Sequence, residues 1–257
     1  DDCFSGGTGR ELTAEDVKFC LEIACSGLPE NKVGNLLTNK IKGARKFHAA
    51  TSGAIDGRTV SGIQVIDPYT LQVSLEESFT GFDKMLTHPN LGVFPKEAFE
   101  KYGDQVKKHP VGTGPFQLTA WNDSRIVLSR NPNYWRKDAK GNQLPFLDRV
   151  VMTYSKTKKD ELLAFRKEKI DLILQIPADE IENTLGTLQE AQAGKNVKHK
   201  VDSKNSMSLN YYGLANGAAP FNDIRVRKAF NFALDRNELV TVWMKGEGYP
   251  VTHGFIP

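Results

Sequence analysis

The chain has 257 residues, 39% hydrophobic and 25% charged, with 34 lysines and arginines against 31 aspartates and glutamates for a net charge of +3. That length can bury a real core, as one large domain or two small ones. The basic residues are spread rather than massed, which argues against a nucleic-acid-binding surface, and no apolar run reaches the length of a membrane span. No export signal or lipid-attachment segment is visible, and the first residue is not Met; a mature or truncated chain would look the same.

Residues 1–11 read as irregular, with Gly6, Gly7 and Gly9 interrupting any regular element. Thr13 is a helix N-cap, with Asp16 at N3 and Glu15 in the first turn to suit the helix dipole. Val17, Cys20, Leu21 and Ala24 then keep the i, i+3, i+4, i+7 spacing, which predicts an amphipathic helix over 14–25, ended by Gly27 and Pro29. A second helix is predicted from about Lys32 to Phe47, weakened by Gly34 and Gly43. From Ile63 the period becomes two. Ile63 and Val65, a turn at Asp67-Pro68-Tyr69-Thr70, and Leu71, Val73 and Leu75 describe an antiparallel hairpin with one wet face. Short helices are predicted at 82–87 and 95–102, separated by His88-Pro89-Asn90, with Pro95 opening the second.

The stretch from Pro110 to Trp135 is the most informative. Val111-Gly112-Thr113-Gly114-Pro115 is a tight bend whose glycines can take positive φ or admit another backbone. Phe116–Trp121 alternates as a half-buried strand, Asn122-Asp123-Ser124 is turn chemistry, and Ile126–Leu128 resumes a strand. The hairpin leaves through Asn131-Pro132-Asn133 to Tyr134 and Trp135. A phosphate cradle needs donated N–H groups and a following helix; here Pro115 removes a donor and a strand follows, so a shaped strand entrance is the better reading. Further on, a strand at 150–154, a helix at 158–169 with Leu162, Leu163 and Phe165 inward, and a strand at 170–176 form a βαβ pattern that predicts a parallel pair. A helix follows at 178–192, then strands at 197–201 and 207–214, then a helix capped by Asp223 and running to about Lys245. Tyr249–Pro257 has no element of its own.

Three of these stretches together resemble one family. Gly112-Thr-Gly-Pro-Phe116 with its hairpin and Asn131-x-x-Tyr134-Trp135, the helix start Leu12-Thr-Ala-Glu-Asp-Val17, and Pro220-Phe-Asn-Asp-Ile-Arg-Val-Arg-Lys-Ala229 with Ala233-Leu-Asp-Arg236 are similar to motifs of the family 5 extracellular solute-binding proteins. These are the dipeptide, oligopeptide and nickel receptors of bacterial ABC importers. The resemblance implies a mixed α/β (α+β) fold: a periplasmic-binding-protein-like lobe with an attached antiparallel subdomain. Residues 1–111 would be the α+β subdomain, and 112–257 the α/β first-lobe core running into the start of a second lobe. Members carry more sequence before the first motif and a large lobe after the last, so the chain is expected to be an internal piece of a longer receptor, with the second lobe missing.

Chemistry is sparse. There is no Gly-x-Ser-x-Gly elbow, no Cys/His pair at a recognisable spacing and no Walker motif. Glu76-Glu77 and Asp160-Glu161 read as solvated pairs rather than acids facing across a cleft. His48, His88, His109, His199 and His253 are unclustered, so no metal site or cofactor is expected. Cys20 and Cys25 point to different helix faces and read as buried thiols; Cys3 can pair with one of them or stay free. The best candidate binding surface is Asn210, Tyr211, Tyr212 and Gly213. Adjacent tyrosines on a strand face opposite ways, so one can line a cleft while the other is core; alternatively the two pack on either side of a sheet. In the family the strand before Pro220-Phe-Asn-Asp runs along the ligand cleft and can pair main chain to main chain with a peptide. Arg225 and Arg227 read as ion-paired structural residues rather than carboxylate clamps.

The expected function is therefore non-enzymatic capture of a peptide or other small solute between two lobes, for delivery to an ABC permease in the membrane. The expected protein is a monomer, periplasmic or membrane-anchored outside the cytoplasm. A nickel complex, haem or oligosaccharide is an alternative ligand, and a hydrolase on a similar scaffold the alternative class.

Overall fold

The computed structural model describes residues 2–186, 188–195, 199–202, 204, 206, 208–251 and 254. They form a mixed α/β fold in two compact units, Asp1–Tyr154 and Ser155–Pro257.

The first unit opens with a 3-10 turn at Ser5–Gly7 and helix α1, Ala14–Cys25. The predicted start holds: the Asp16 carboxylate accepts the Thr13 N–H at 2.9 Å, closing the first turn onto its cap. Arg10 adds a clamp, its guanidinium 2.6 and 2.8 Å from the Asp16 carboxylate oxygens and 2.7 and 2.9 Å from those of Glu97. Helix α1 packs on α2 (Gly34–Leu37), α3 (Ala44–Ala50) and the hairpin β1 (Ile63–Asp67) and β2 (Thr70–Val73). The core holds Leu21, Ala24, Cys25, Leu37, Ile41, Ala44, Phe47, Val60 and Ile63. Burying Leu37 and Ile41, both fully inaccessible, stabilises the fold by about 2 kcal/mol each.

The single helix predicted over 32–47 is instead two short helices. Between them Ile41 bridges Leu75, Lys42 N–H donates to Ser74 O at 2.9 Å, and Glu76 N–H donates to Lys40 O at 2.8 Å. Residues 40–42 thus act as a strand along the continuation of β2, and burial of Ile41 there outweighs local helix propensity. Gly43 restarts the helix from a left-handed φ of 77°, where a side chain would be strained.

The β1–β2 hairpin turns at Pro68-Tyr69 as predicted, with Tyr69 N–H donating to the Asp67 side chain at 2.8 Å. Helices α4 (Phe82–Met85) and α5 (Lys96–Tyr102) follow, with 3-10 turns at Pro89–Leu91 and Gly103–Lys108. A separate antiparallel sheet then forms in the order β3 (Phe116–Trp121), β4 (Arg125–Arg130), β5 (Arg149–Thr153). The step expected at residue 112 lies inside this unit, between its two sheets. Thr119 is bulged out of the β3–β4 register, its hydroxyl 3.2 Å from Val127 O. The entering bend is built differently from expectation. Neither Gly112 nor Gly114 takes a positive φ. Asn131 holds the bend: its Nδ2 donates to Gly114 O and its N–H to Pro115 O, both at 2.9 Å. Pro115 has no N–H to donate and β3 rather than a helix N-terminus follows, so the bend is the shaped strand entrance expected.

In the second unit, α6 (Lys158–Arg166) is capped by Thr157, whose hydroxyl accepts the Asp160 N–H at 3.1 Å. Leu162 is buried as predicted, but Leu163 is exposed. The predicted βαβ unit is not present. β5 pairs antiparallel with β4, and residues 170–176 form no ladder, with Leu172 and Leu174 exposed by 69% and 89%. A strand exists by pairing, and among the described residues no neighbour lies beside this one. The helix predicted at 178–192 is a 3-10 turn, Ala178–Glu180, then α7 (Ile181–Leu185) and α8 (Leu188–Gln192), broken at Gly186. The strand predicted at 197–201 falls partly on residues 197 and 198, outside the described set; 199–202 form no ladder. The last predicted helix is also divided. After α9 (Ile224–Ala233), Asp235 caps again, accepting the Asn237 and Glu238 N–H groups at 2.9 and 3.0 Å, and starts α10 (Arg236–Glu238) and a π turn at Leu239–Trp243.

Candidate functional site

Asn210, Tyr211, Tyr212 and Gly213 lie in the segment that leads to α9. Residues 208–215 are in no ladder, against the strand predicted over 207–214; Met207 is outside the described residues. The alternating pattern is there, but an extended segment becomes a strand only by giving its N–H and C=O groups to a neighbour. Among the described residues the ladders are β1–β2 and β3–β4–β5, with isolated bridges at Ile41–Leu75 and Lys137–Gln143. Tyr211 and Tyr212 are 66% and 76% exposed, so neither is a core residue in this chain. A Cβ on Gly213 would meet nothing within 4 Å. The segment lies outside the ladders and presents two exposed flat rings, chemistry suited to stacking on a ligand.

The chain then turns, with Ala218 N–H donating to Ala215 O at 3.0 Å and Asn222 N–H to Ala218 O at 2.9 Å. Asp223 caps α9 by accepting the Arg225 N–H at 2.8 Å. The Arg225 guanidinium closes back on the same carboxylate at 2.6 to 3.1 Å and holds the Asp223 pKa below the usual carboxylate range. Arg227 donates to Phe221 O at 2.7 Å, over an edge-on contact of Phe221 with Phe230 at 5.3 Å. Arg225 is thus the ion-paired structural residue expected, whereas Arg227 is satisfied by a backbone carbonyl.

The first unit has a groove that sequence reasoning did not find. It has a volume of about 450 Å³ and is lined by Lys108, His109, residues 118–121 of β3, Asn122 and Asp123. Trp121 is half exposed on it, and His109 stacks on Tyr102 with ring centres 4.2 Å apart. Its only sequence signal is the Lys107-Lys108-His109 run ahead of an aromatic strand, which cannot be told from a solvated turn. Among the described residues there is no group of three or more His, Cys, Asp or Glu able to hold a metal ion. Cys20 and Cys25 are buried free thiols, and burial pushes their pKa values up to about 11 and about 12. Such thiols are poor nucleophiles.

Residues 4–257 match the model of the bacterial extracellular solute-binding proteins, family 5 Middle. The glutathione-binding protein GsiB of Salmonella paratyphi A is 28% identical over 201 residues, 78% of this chain and 36% of GsiB. Two solved structures share the fold. A periplasmic oligopeptide-binding protein of Borrelia burgdorferi superposes with a TM-score of 0.67 at 22% identity, over 93% of this chain and 45% of that one. The murein tripeptide binding protein of Escherichia coli does so with a TM-score of 0.68 at 19% identity, over 93% and 44%. The chain spans about a third of the length of the curated relative it matches and under half that of the two structures. It belongs to the family 5 extracellular solute-binding proteins.

Proposed function

We propose that the chain is part of a two-lobed receptor that captures a peptide or peptide-like solute outside the cytoplasm and hands it to an ABC permease. The observation that carries this is the family match across residues 4–257. The ligands for which these relatives are named, glutathione, oligopeptides and a murein tripeptide, support a peptide-like ligand. All three offer amide groups and carboxylates, which suit exposed tyrosine rings and hydroxyls.

In this reading Asn210, Tyr211, Tyr212 and Gly213 form part of one wall of the cleft. The backbone of 210–213 pairs with the ligand main chain, the tyrosine rings cover it, and Gly213 leaves room for its approach. Capture is completed when a second lobe closes by hinge motion. In this reading residues 1–111 are the α+β subdomain of the first lobe and 112–257 the first-lobe core running into the start of the second. The receptor is monomeric, carries out no chemistry on its ligand, and resides in the periplasm or is anchored facing it.

Mass spectrometry of small molecules released from the purified full receptor tests this. Peptides or glutathione should be recovered; a nickel complex, haem or oligosaccharide would redirect the ligand class. Time-dependent cleavage of added peptides would overturn the binding-only role, and finding the receptor solely in the cytosolic fraction would overturn the compartment.

A further inference from the structure

We infer that Asn216–Gly217 is a site of spontaneous covalent modification, where the Asn216 carboxamide is lost to give aspartate and isoaspartate. The pair is the single Asn-Gly dipeptide in the chain. Both residues are exposed and lie at the centre of the turn closed by Ala218 N–H on Ala215 O at 3.0 Å. Gly217 has no side chain to screen its backbone nitrogen, and a Cβ built there would meet nothing within 4 Å. Neither the Asn216 carboxamide nor the Gly217 N–H has a hydrogen-bond partner among the described residues.

Other asparagines lack this combination. The Asn31 carboxamide donates to Ala24 O at 2.9 Å and to Ser26 O at 2.6 Å. Asn122 Oδ1 accepts from Ser124 N–H, Ser124 Oγ and Arg125 N–H at 2.8 to 3.0 Å. Asn131 is buried and precedes Pro132, which has no N–H to lose.

The chemistry needs only water and hydroxide. Gly217 N gives its proton to hydroxide and attacks Asn216 Cγ. The new N–Cγ bond forms as the Cγ–Nδ2 bond breaks, and Nδ2 leaves as ammonia with a proton from water. Water then opens the resulting succinimide at either carbonyl. Breaking the new N–Cγ bond leaves aspartate; breaking the original peptide bond leaves isoaspartate, with the main chain rerouted through Cβ and Cγ. The net change is amide plus water to carboxylic acid plus ammonia, with no redox step. The product carries a new negative charge, and in the iso form a longer backbone, three residues beyond Gly213. If that segment lines the cleft, as proposed above, ageing of the protein alters its ligand wall.

The test is peptide mapping by mass spectrometry of the 257-residue chain, incubated at mildly alkaline pH. The Asn216 peptide should gain the mass of an amide-to-acid conversion, as two separable isomers, faster as pH rises. Gly217→Ala fits the fold, because Gly217 is not in a positive-φ conformation and its Cβ position is open. It should slow conversion several-fold, and Asn216→Gln should abolish it at this site. An unchanged Asn216 peptide while Asn210 or Asn222 converts would overturn the proposal, as would an unaltered rate in Gly217→Ala. The readout is mass, so its failure leaves the binding proposal standing, and failure of binding leaves this one standing.

Discussion

Glu22 stands on the buried face of α1, 8% exposed, with Oε1 accepting the Val60 N–H at 2.9 Å. Burial raises its pKa above the ordinary glutamate value, with the Val60 N–H and Lys18 opposing and Glu15 adding to the rise. The fold thus favours the protonated carboxyl. Ionised Glu22 costs stability at neutral pH, and that cost falls away as pH drops through the raised pKa. Glu22→Gln keeps an acceptor for Val60 and removes the charge. It should stabilise the first unit by about 1 kcal/mol at neutral pH, an advantage that shrinks on acidification. Glu22→Ala, which leaves the Val60 N–H unpaired, should instead cost about 2 kcal/mol. Urea unfolding of both variants across pH checks this. Asp16 works in the opposite sense. Its hydrogen bonds to Arg10 lower its pKa against the effect of burial. Its contribution is fully present above the ordinary aspartate range and is lost as pH falls through the depressed value. Arg10→Ala should cost about 2 kcal/mol at neutral pH, because the nearly buried Asp16 loses its partner while the half-exposed arginine is already partly screened. The variant's acid-unfolding curve should also be shallower. Asp16 was legible as a cap at Thr13-x-x-Asp16. Glu22 was not, because α1 is packed by α2, α3 and the hairpin and its buried arc is wider than the apolar stripe.

The elements most legible in the sequence are those fixed by local chemistry: the Thr13 and Asp223 caps, the Asp67-Pro68 turn, the Asn122 turn and the alternation of β3. What failed was set by neighbours distant in sequence. Residues 40–42 read as helix but lie along the β2 side of the hairpin, and residues 170–176 and 208–214 read as strand but lie beside no ladder. Asp235 was legible as a motif residue yet not as a second cap, because the apolar spacing runs through it unbroken. The strand-like role of 40–42 can be tested at Gly62. Its N–H donates to Lys42 O, and an added Cβ would lie 2.6 Å from that oxygen and 2.9 Å from Ser74 O, both backbone atoms. Gly62→Ala must push those segments apart and should cost about 2 to 3 kcal/mol, seen as a lower denaturant midpoint with an unchanged slope. A neutral substitution would mean that residues 40–42 are not held against the hairpin.

At the scale of the molecule, the candidate binding residues were legible as types but not as surroundings. Tyr211 and Tyr212 were recognisable as an aromatic pair before the Asp223 helix; their exposure could not be read, because it depends on what lies across from them. Exposed Leu172, Leu174, Tyr211 and Tyr212 form part of a chain that spans 36% of its GsiB relative. On the two-lobed reading proposed above, a ligand is contacted on most sides, so this chain should bind it more weakly than the full receptor, each tenfold loss being only about 1.4 kcal/mol. The most direct test is isothermal titration of glutathione and a peptide mixture into three proteins: the full receptor, the full receptor with Tyr211→Ala and Tyr212→Ala together, and this 257-residue chain. Saturable binding to the full receptor, weakened roughly tenfold or more in the double variant and in the isolated chain, is the predicted result. Equal affinities in all three would contradict the placement of the ligand wall at residues 210–213, and no binding to the full receptor would contradict peptide capture itself.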